Sequence, residues 1–252
     1  MLGRLKQAFS RATTEPLAKA GAVALWAAEQ GFSYASVADR PGFSIAGQMD
    51  KKPWRLECGE ATRDYMQGDE LRARAELALK DDAAVLIMNR PLKDALEKRA
   101  YEIYTDNLQT TADPELPEEM RWLATYPEAD WESLTTEFWT RYAVMADTCE
   151  HAQAWLNPQL AELLMSWPAP APSEQNPFIL RLMRGKAYLR MQYSPTDTAT
   201  LAHATRIFTT ACERGLAVFE ADEIGRTDEI GETDETDETG GTVTTSATGA
   251  TG

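Results

Sequence analysis

From Phe43 to Leu79 the chain changes chemical character at almost every step. Phe43, Ile45, Gly47 and Met49 alternate with Ser44, Ala46, Gln48 and Asp50, and Trp54, Leu56 and Cys58 alternate with Arg55 and Glu57. The clearest run sets Leu71, Ala73, Ala75, Leu77 and Leu79 against Arg72, Arg74 and Glu76. Successive side chains of a strand point to opposite faces, so this period describes strands with one buried and one wet face. Arg40-Pro41-Gly42, Lys51-Lys52-Pro53 and Lys80-Asp81-Asp82 punctuate the runs as turns. Such connections are too short for crossovers, which predicts an antiparallel meander of about five strands over 32–90.

Beyond Pro91 the apolar spacing lengthens to that of helices. Leu92, Leu96, Ala100 and Ile103 make one stripe, and Met120 and Leu123 follow a helix start at Pro117. With Asp130 as N-cap, Leu134, Phe138, Tyr142, Met145 and Cys149 predict one long third helix, and Gln159 to Trp167 a shorter one. Pro168 to Pro172 reads as a stiff spacer. Phe178 to Met183 and Ala187 to Tyr193 then read as strands joined at Arg184-Gly185. That hairpin is marginal alone, so it is expected to extend the first sheet or cover part of the core. A last helix from Thr198 presents Leu201, Ala204, Phe208, Cys212 and Phe219.

The amino terminus holds two helical pieces. Pro16 to Gln30 is apolar on nearly every face and is expected to be buried. Ahead of it Leu2, Leu5 and Phe9 form a narrow stripe flanked by Arg4, Lys6 and Arg11, with no acid before Glu15. That pattern suits an anionic membrane surface or the groove of a protein partner, and equally a helix packed on its own domain. The expected class is therefore α+β: N-terminal helices over 1–30, then a globular body over 31–220. The body runs from the meander through a helical section and a short hairpin to a C-terminal helix. Residues 221–252, with their Thr-Asp-Glu repeats, are expected to be a disordered acidic tail, having almost nothing to bury against the entropy of ordering.

Charge sharpens this division. From Glu220 onward ten acids face only Arg226, a net of −9 out of the chain's −15, so the preceding 219 residues carry −6. A body of that sign repels phosphate backbones, which disfavours nucleic acid as a partner. Cys58, Cys149 and Cys212 are scattered and outside any CxxC arrangement, as expected of free thiols in a reducing compartment. Arg4, Lys6 and Arg11 precede the apolar run Ala20 to Ala28, but that run is alanine-rich and lacks a convincing cleavage site. With no stretch near the ~20 apolar residues of a bilayer span, the expected location is cytoplasmic.

Candidate chemistry is sparse. Only His151 and His203 are present, so a three-histidine zinc site is excluded, and no cofactor is implied. Asp147, Cys149 and His151 suggest a nucleophile with its base, but residues two apart on one helix diverge by roughly 200°. Cys149 is accordingly expected in the core, while Asp147 and His151 are spaced to pair. Arg55, Arg72 and Arg74 share a polar strand face, where cross-strand pairing with Glu57 and Glu76 competes with an anion site. Asp113, Glu115, Glu118 and Glu119 gather where a helix begins, which suits the helix dipole. The seven tryptophans are expected to pack in the core. Phosphate loops and nucleophile elbows are absent. The functional expectation is a non-enzymatic interaction or regulatory protein, with an enzyme built on carboxylates from distant segments as the alternative.

Overall fold

The computed structural model describes residues 21–37, 42–79, 82–107, 118–173, 175–195 and 197–219. The stripe Leu2, Arg4, Leu5, Lys6, Phe9 and Arg11, the helix start at Pro117 and the tail 221–252 lie outside them. The fold is α+β. Its strands are β1 (Ser33–Ser36), β2 (Phe43–Met49), β3 (Lys52–Glu60), β4 (Asp69–Glu76), β5 (Val85–Asn89), β6 (Tyr142–Ala146), β7 (Phe178–Met183) and β8 (Lys186–Tyr193). These eight form one antiparallel sheet in the order β1-β2-β3-β4-β8-β7-β5-β6. The helices are α1 (Ala22–Glu29), α2 (Arg90–Asn107), α3 (Glu118–Thr125), α4 (Thr136–Arg141), α5 (Cys149–Trp155), α6 (Pro158–Met165) and α7 (Thr198–Phe219). Among the described residues no helix is long and apolar enough to cross a membrane.

The alternation along β2, β3 and β4 lies as the sequence predicts, with Phe43, Ile45, Trp54, Leu56, Leu71 and Ala73 all buried on one face. That face carries the main core. Phe208 and Ala211 of α7, Trp155 of α5 and Leu160 and Leu164 of α6 pack against it. The Trp155 indole donates to the Ala211 carbonyl at 2.8 Å, so its one polar atom is satisfied inside the core.

Two expectations about strands need correction. The late hairpin extends the first sheet, as expected, but the meander of about five strands stops at its fourth, because β8 and β7 insert between β4 and β5. The chain leaving β4 must then cross the hairpin's turn, and Leu77 and Ala78 donate their amides to the Gly185 carbonyl. Gly185 has φ 65°, and a Cβ there would stand 2.9 Å from the Leu79 nitrogen. Buried Asn89 secures the other end of the hairpin, accepting from the Phe178 amide and donating to the Ser173 carbonyl, both at 2.8 Å. The second correction concerns the long third helix, which divides into α4, β6 and α5. All five residues of β6 are buried, and a run apolar on both faces carries no period to separate strand from helix. Pairing with β5 decides the matter.

Helix α1 also differs from expectation. Only Val23 and Ala27 are buried, while Leu25 is 38% exposed; among the described residues the helix contacts the edge strand β1 and α7.

Candidate functional site

The second face of the sheet is divided. Over β5, β6 and β7 it presents Leu86, Met88, Ala143, Met145 and Ile179, which are covered by Leu92 and Leu96 of α2 and Met120 and Trp122 of α3. Over β3, β4 and β8 the same face is charged, and among the described residues no helix covers it. Where the helical cover stops, the step encloses a trough of about 760 Å³ between α3 and the outer strands.

Strand register arranges its lining in two rows. One runs Ala46, Arg55, Arg74, Tyr188, Arg181, Leu86 across β2, β3, β4, β8, β7 and β5. The other runs Glu57, Arg72, Arg190, Ile179 across β3, β4, β8 and β7. Arginine therefore stands directly opposite arginine twice, Arg55 with Arg74 and Arg72 with Arg190. Like charges in such positions repel, and interleaved glutamates offset the repulsion. Arg55 reaches Glu57 at 2.7 Å, Arg74 pairs with Glu76, and Arg72 lies 3.6 Å from Glu70 and 3.9 Å from Glu57.

Glu70 is the anchor of this array. It is fully buried, and it pairs with Arg190 and accepts from the Thr62 amide and hydroxyl at 2.9 Å each. The Arg190 guanidinium also donates to the Thr62 hydroxyl at 2.8 Å. These bonds hold the segment after β3 against the sheet.

The inner wall comes from α3. Glu118 pairs with Arg181, whose guanidinium lies 4.5 Å from the Tyr188 ring centroid and 5.6 Å from that of Trp122. Glu119, also buried, accepts from Arg63 at 2.9 Å through Oε1, while among the described residues Oε2 and the nearby Tyr65 hydroxyl have no hydrogen-bond partner. Burial first, and then the Glu119 charge, pushes the Tyr65 phenol well above its usual range. Both acids at the start of α3 thus hold arginines from other elements, beyond any complement to the helix dipole. Asp113 and Glu115 lie outside the described residues.

The structure places Arg55, Arg72 and Arg74 together with Glu57 and Glu76, but Arg55 pairs with Glu57 and Arg74 with Glu76 along their own strands, and only Arg72 with Glu57, at 3.9 Å, makes the expected cross-strand pair. Arg181, Arg190, Tyr188 and Glu70 are not singled out by the sequence, and Trp122 is expected there only as one of seven core tryptophans. The alternation Ile179, Arg181 and Tyr188, Arg190 carries the same period-two signal, but only the strand order brings it beside Arg72 and Arg74.

The other sequence candidates stay apart from the trough. His151 Nδ1 lies 3.0 Å from Asp147 Oδ2, the expected pair. Cys149 is not in the core: it opens α5, partly exposed, with its Sγ accepting from Gln153 at 3.3 Å. Cys58 lies on the closed face of β3, where burial, helped by the Asp69 charge, pushes its thiol up to about 12. Trp54, Trp122 and Trp155 are buried, and Trp26, Trp131, Trp139 and Trp167 pack partly buried against the core.

No protein-family model matches the chain, and no curated protein matches it. Among solved structures it is similar to the mycobacterial trehalose monomycolate transport factor A, TtfA, at 10% identity with a TM-score of 0.43. That likeness covers 78% of this chain and 93% of the other, and at such a score it carries no argument about function.

Proposed function

We propose that this chain is a non-enzymatic interaction or regulatory protein whose working surface is the trough on the uncovered half of the sheet. The observation that carries the reading is the step itself: α3 ends its cover in mid-sheet and leaves a concave, chemically mixed surface of about 760 Å³. Concave sites of about 300–1,000 Å³ with a few convergent polar groups are the usual form of ligand pockets. The lining supplies five arginines, four glutamates, aromatic rings and aliphatic carbon, and no serine, cysteine or histidine. These groups suit recognition better than nucleophilic chemistry.

The alternative, an enzyme using carboxylates from distant segments, draws support from the convergence of Glu57, Glu76, Glu118 and Glu119 on the trough. Each of them, however, is already ion-paired with an arginine. A protein partner, a peripheral membrane contact through Leu2, Arg4, Leu5, Lys6, Phe9 and Arg11, and a cytoplasmic location belong to the same proposal and rest on sequence pattern.

Photo-crosslinking in intact cells tests the reading. A benzophenone amino acid at Glu76, on the trough rim, should form an adduct, while one at Arg206 on the exposed side of α7 should form none. Silence at Glu76, or equal labelling at both sites, contradicts it.

A further inference from the structure

The five arginines of the trough do not have equal work. Arg72 lies between Glu57 and Glu70, Arg190 is tied to Glu70 and Thr62, and Arg181 is tied to Glu118 and stacked on Tyr188. Their side chains are 30%, 23% and 14% exposed, so their donors are largely occupied in holding strands and helix together. Arg55 and Arg74 differ. They face each other across β3 and β4, are 63% and 55% exposed, and among the described residues each pairs with one carboxylate. A guanidinium has five N–H donors, so a single carboxylate leaves each of this pair with donors to offer a ligand, although Arg74 also lies 5.9 Å from the Tyr188 ring centroid.

Two like charges in a directly opposed pair destabilise each other, with Cβ atoms only about 4.5–5.5 Å apart. An anionic group seated between them removes that repulsion and takes charge-assisted hydrogen bonds from both. Next to this pair the chemistry turns apolar. Tyr188 follows in the same row, then Arg181, neutralised by Glu118 and stacked on Tyr188, then Leu86, with Ile179 beside them and Trp122 as the wall. Three strand spacings separate β4 from β5, roughly 14 Å of surface.

On the premise that the trough is a binding site, we propose that it takes a small amphipathic organic anion. Its carboxylate, sulfonate or phosphate lies between Arg55 and Arg74, and its apolar body runs past Tyr188 and the Glu118-paired Arg181 toward Leu86, Ile179 and Trp122. The enclosed volume fits a small molecule; a protein partner of standard size needs about 800 Å² of surface on each side.

Isothermal titration of the full chain with monomeric decanoate, decanol and inorganic phosphate tests this. Decanoate should bind at least about tenfold more tightly than decanol, the ratio expected from one or two charge-assisted hydrogen bonds, and phosphate should not bind. R55Q/R74Q should lose the preference for decanoate while binding decanol as before, and R206Q should behave as wild type. Both rim arginines are mostly exposed, so thermal unfolding of the double variant should stay near wild type, which separates lost recognition from lost folding. Equal binding of decanoate and decanol, or a preference that survives R55Q/R74Q, overturns the anion assignment while leaving the trough as a binding surface. Binding of phosphate as tight as that of decanoate overturns the amphipathic requirement. Cosedimentation with phosphatidylglycerol vesicles, without binding of monomeric decanoate, moves the anion to a bilayer and overturns the small ligand. If no probe binds and the Glu76 crosslinker is also silent, the trough reading itself fails.

Discussion

One face of one sheet is treated in two ways. Over β5, β6 and β7 the outward residues are Leu86, Met88, Ala143, Met145 and Ile179, which α2 and α3 cover, and at the boundary Arg181, which Glu118 of α3 partners. Over β3, β4 and β8 they are Arg55, Glu57, Arg72, Arg74, Tyr188 and Arg190, and among the described residues no helix covers them. Strands of the two halves share the same core on the other face, so only the outward set differs. Apolar outward residues gain by burial, at roughly 25 cal/mol per Å², whereas covering a field of guanidiniums and carboxylates demands a partner for each. Helical cover therefore follows the outward polarity, and the boundary between the two halves becomes the trough.

Substitutions on the two halves should differ in size. The largest effect is expected at Glu70, which lies under the charged half. Glu70→Ala strands Arg190 and Arg72 beside a buried site and should cost about 3–5 kcal/mol in urea unfolding. On the covered half, Met88→Ala empties a fully buried position and should cost about 2–5 kcal/mol, whereas Arg55→Gln on the open half should cost less than about 1 kcal/mol. Equal losses for Met88→Ala and Arg55→Gln break the comparison. Gly185→Ala, in the turn joining β7 of the covered half to β8 of the open half, forces a side chain into a left-handed turn and should cost about 1–2 kcal/mol. A neutral result there means that the crossing after β4 is looser than the 2.9 Å approach implies.

Much of this was legible in the chain. Phase along β2, β3 and β4 told which residues face the core, and it grouped Arg55, Arg72 and Arg74 with Glu57 and Glu76. What stayed hidden has physical causes. Tyr142 to Ala146 is buried on both faces, so it has no period, and its neighbours at helical spacing absorbed it into one long stripe. The insertion of β8 and β7 between β4 and β5 depends on pairing over more than a hundred residues, as in Leu71 with Met191, which no local pattern records. That pairing also builds the trough, since it brings Tyr188, Arg181 and Arg190 beside Arg72 and Arg74. The helix α1 was misjudged for the opposite reason: its composition is apolar, but among the described residues part of it stays uncovered at the sheet edge.

The most direct measurement of the central claim is NMR of the arginine Nε–H groups during titration with decanoate. Signals from Arg55 and Arg74 should shift together and saturate at one equivalent of ligand, while those of Arg184 and Arg206, exposed elsewhere on the body, stay in place. No shift at Arg55 and Arg74, or shifts of the same size at Arg184 and Arg206, contradicts the account.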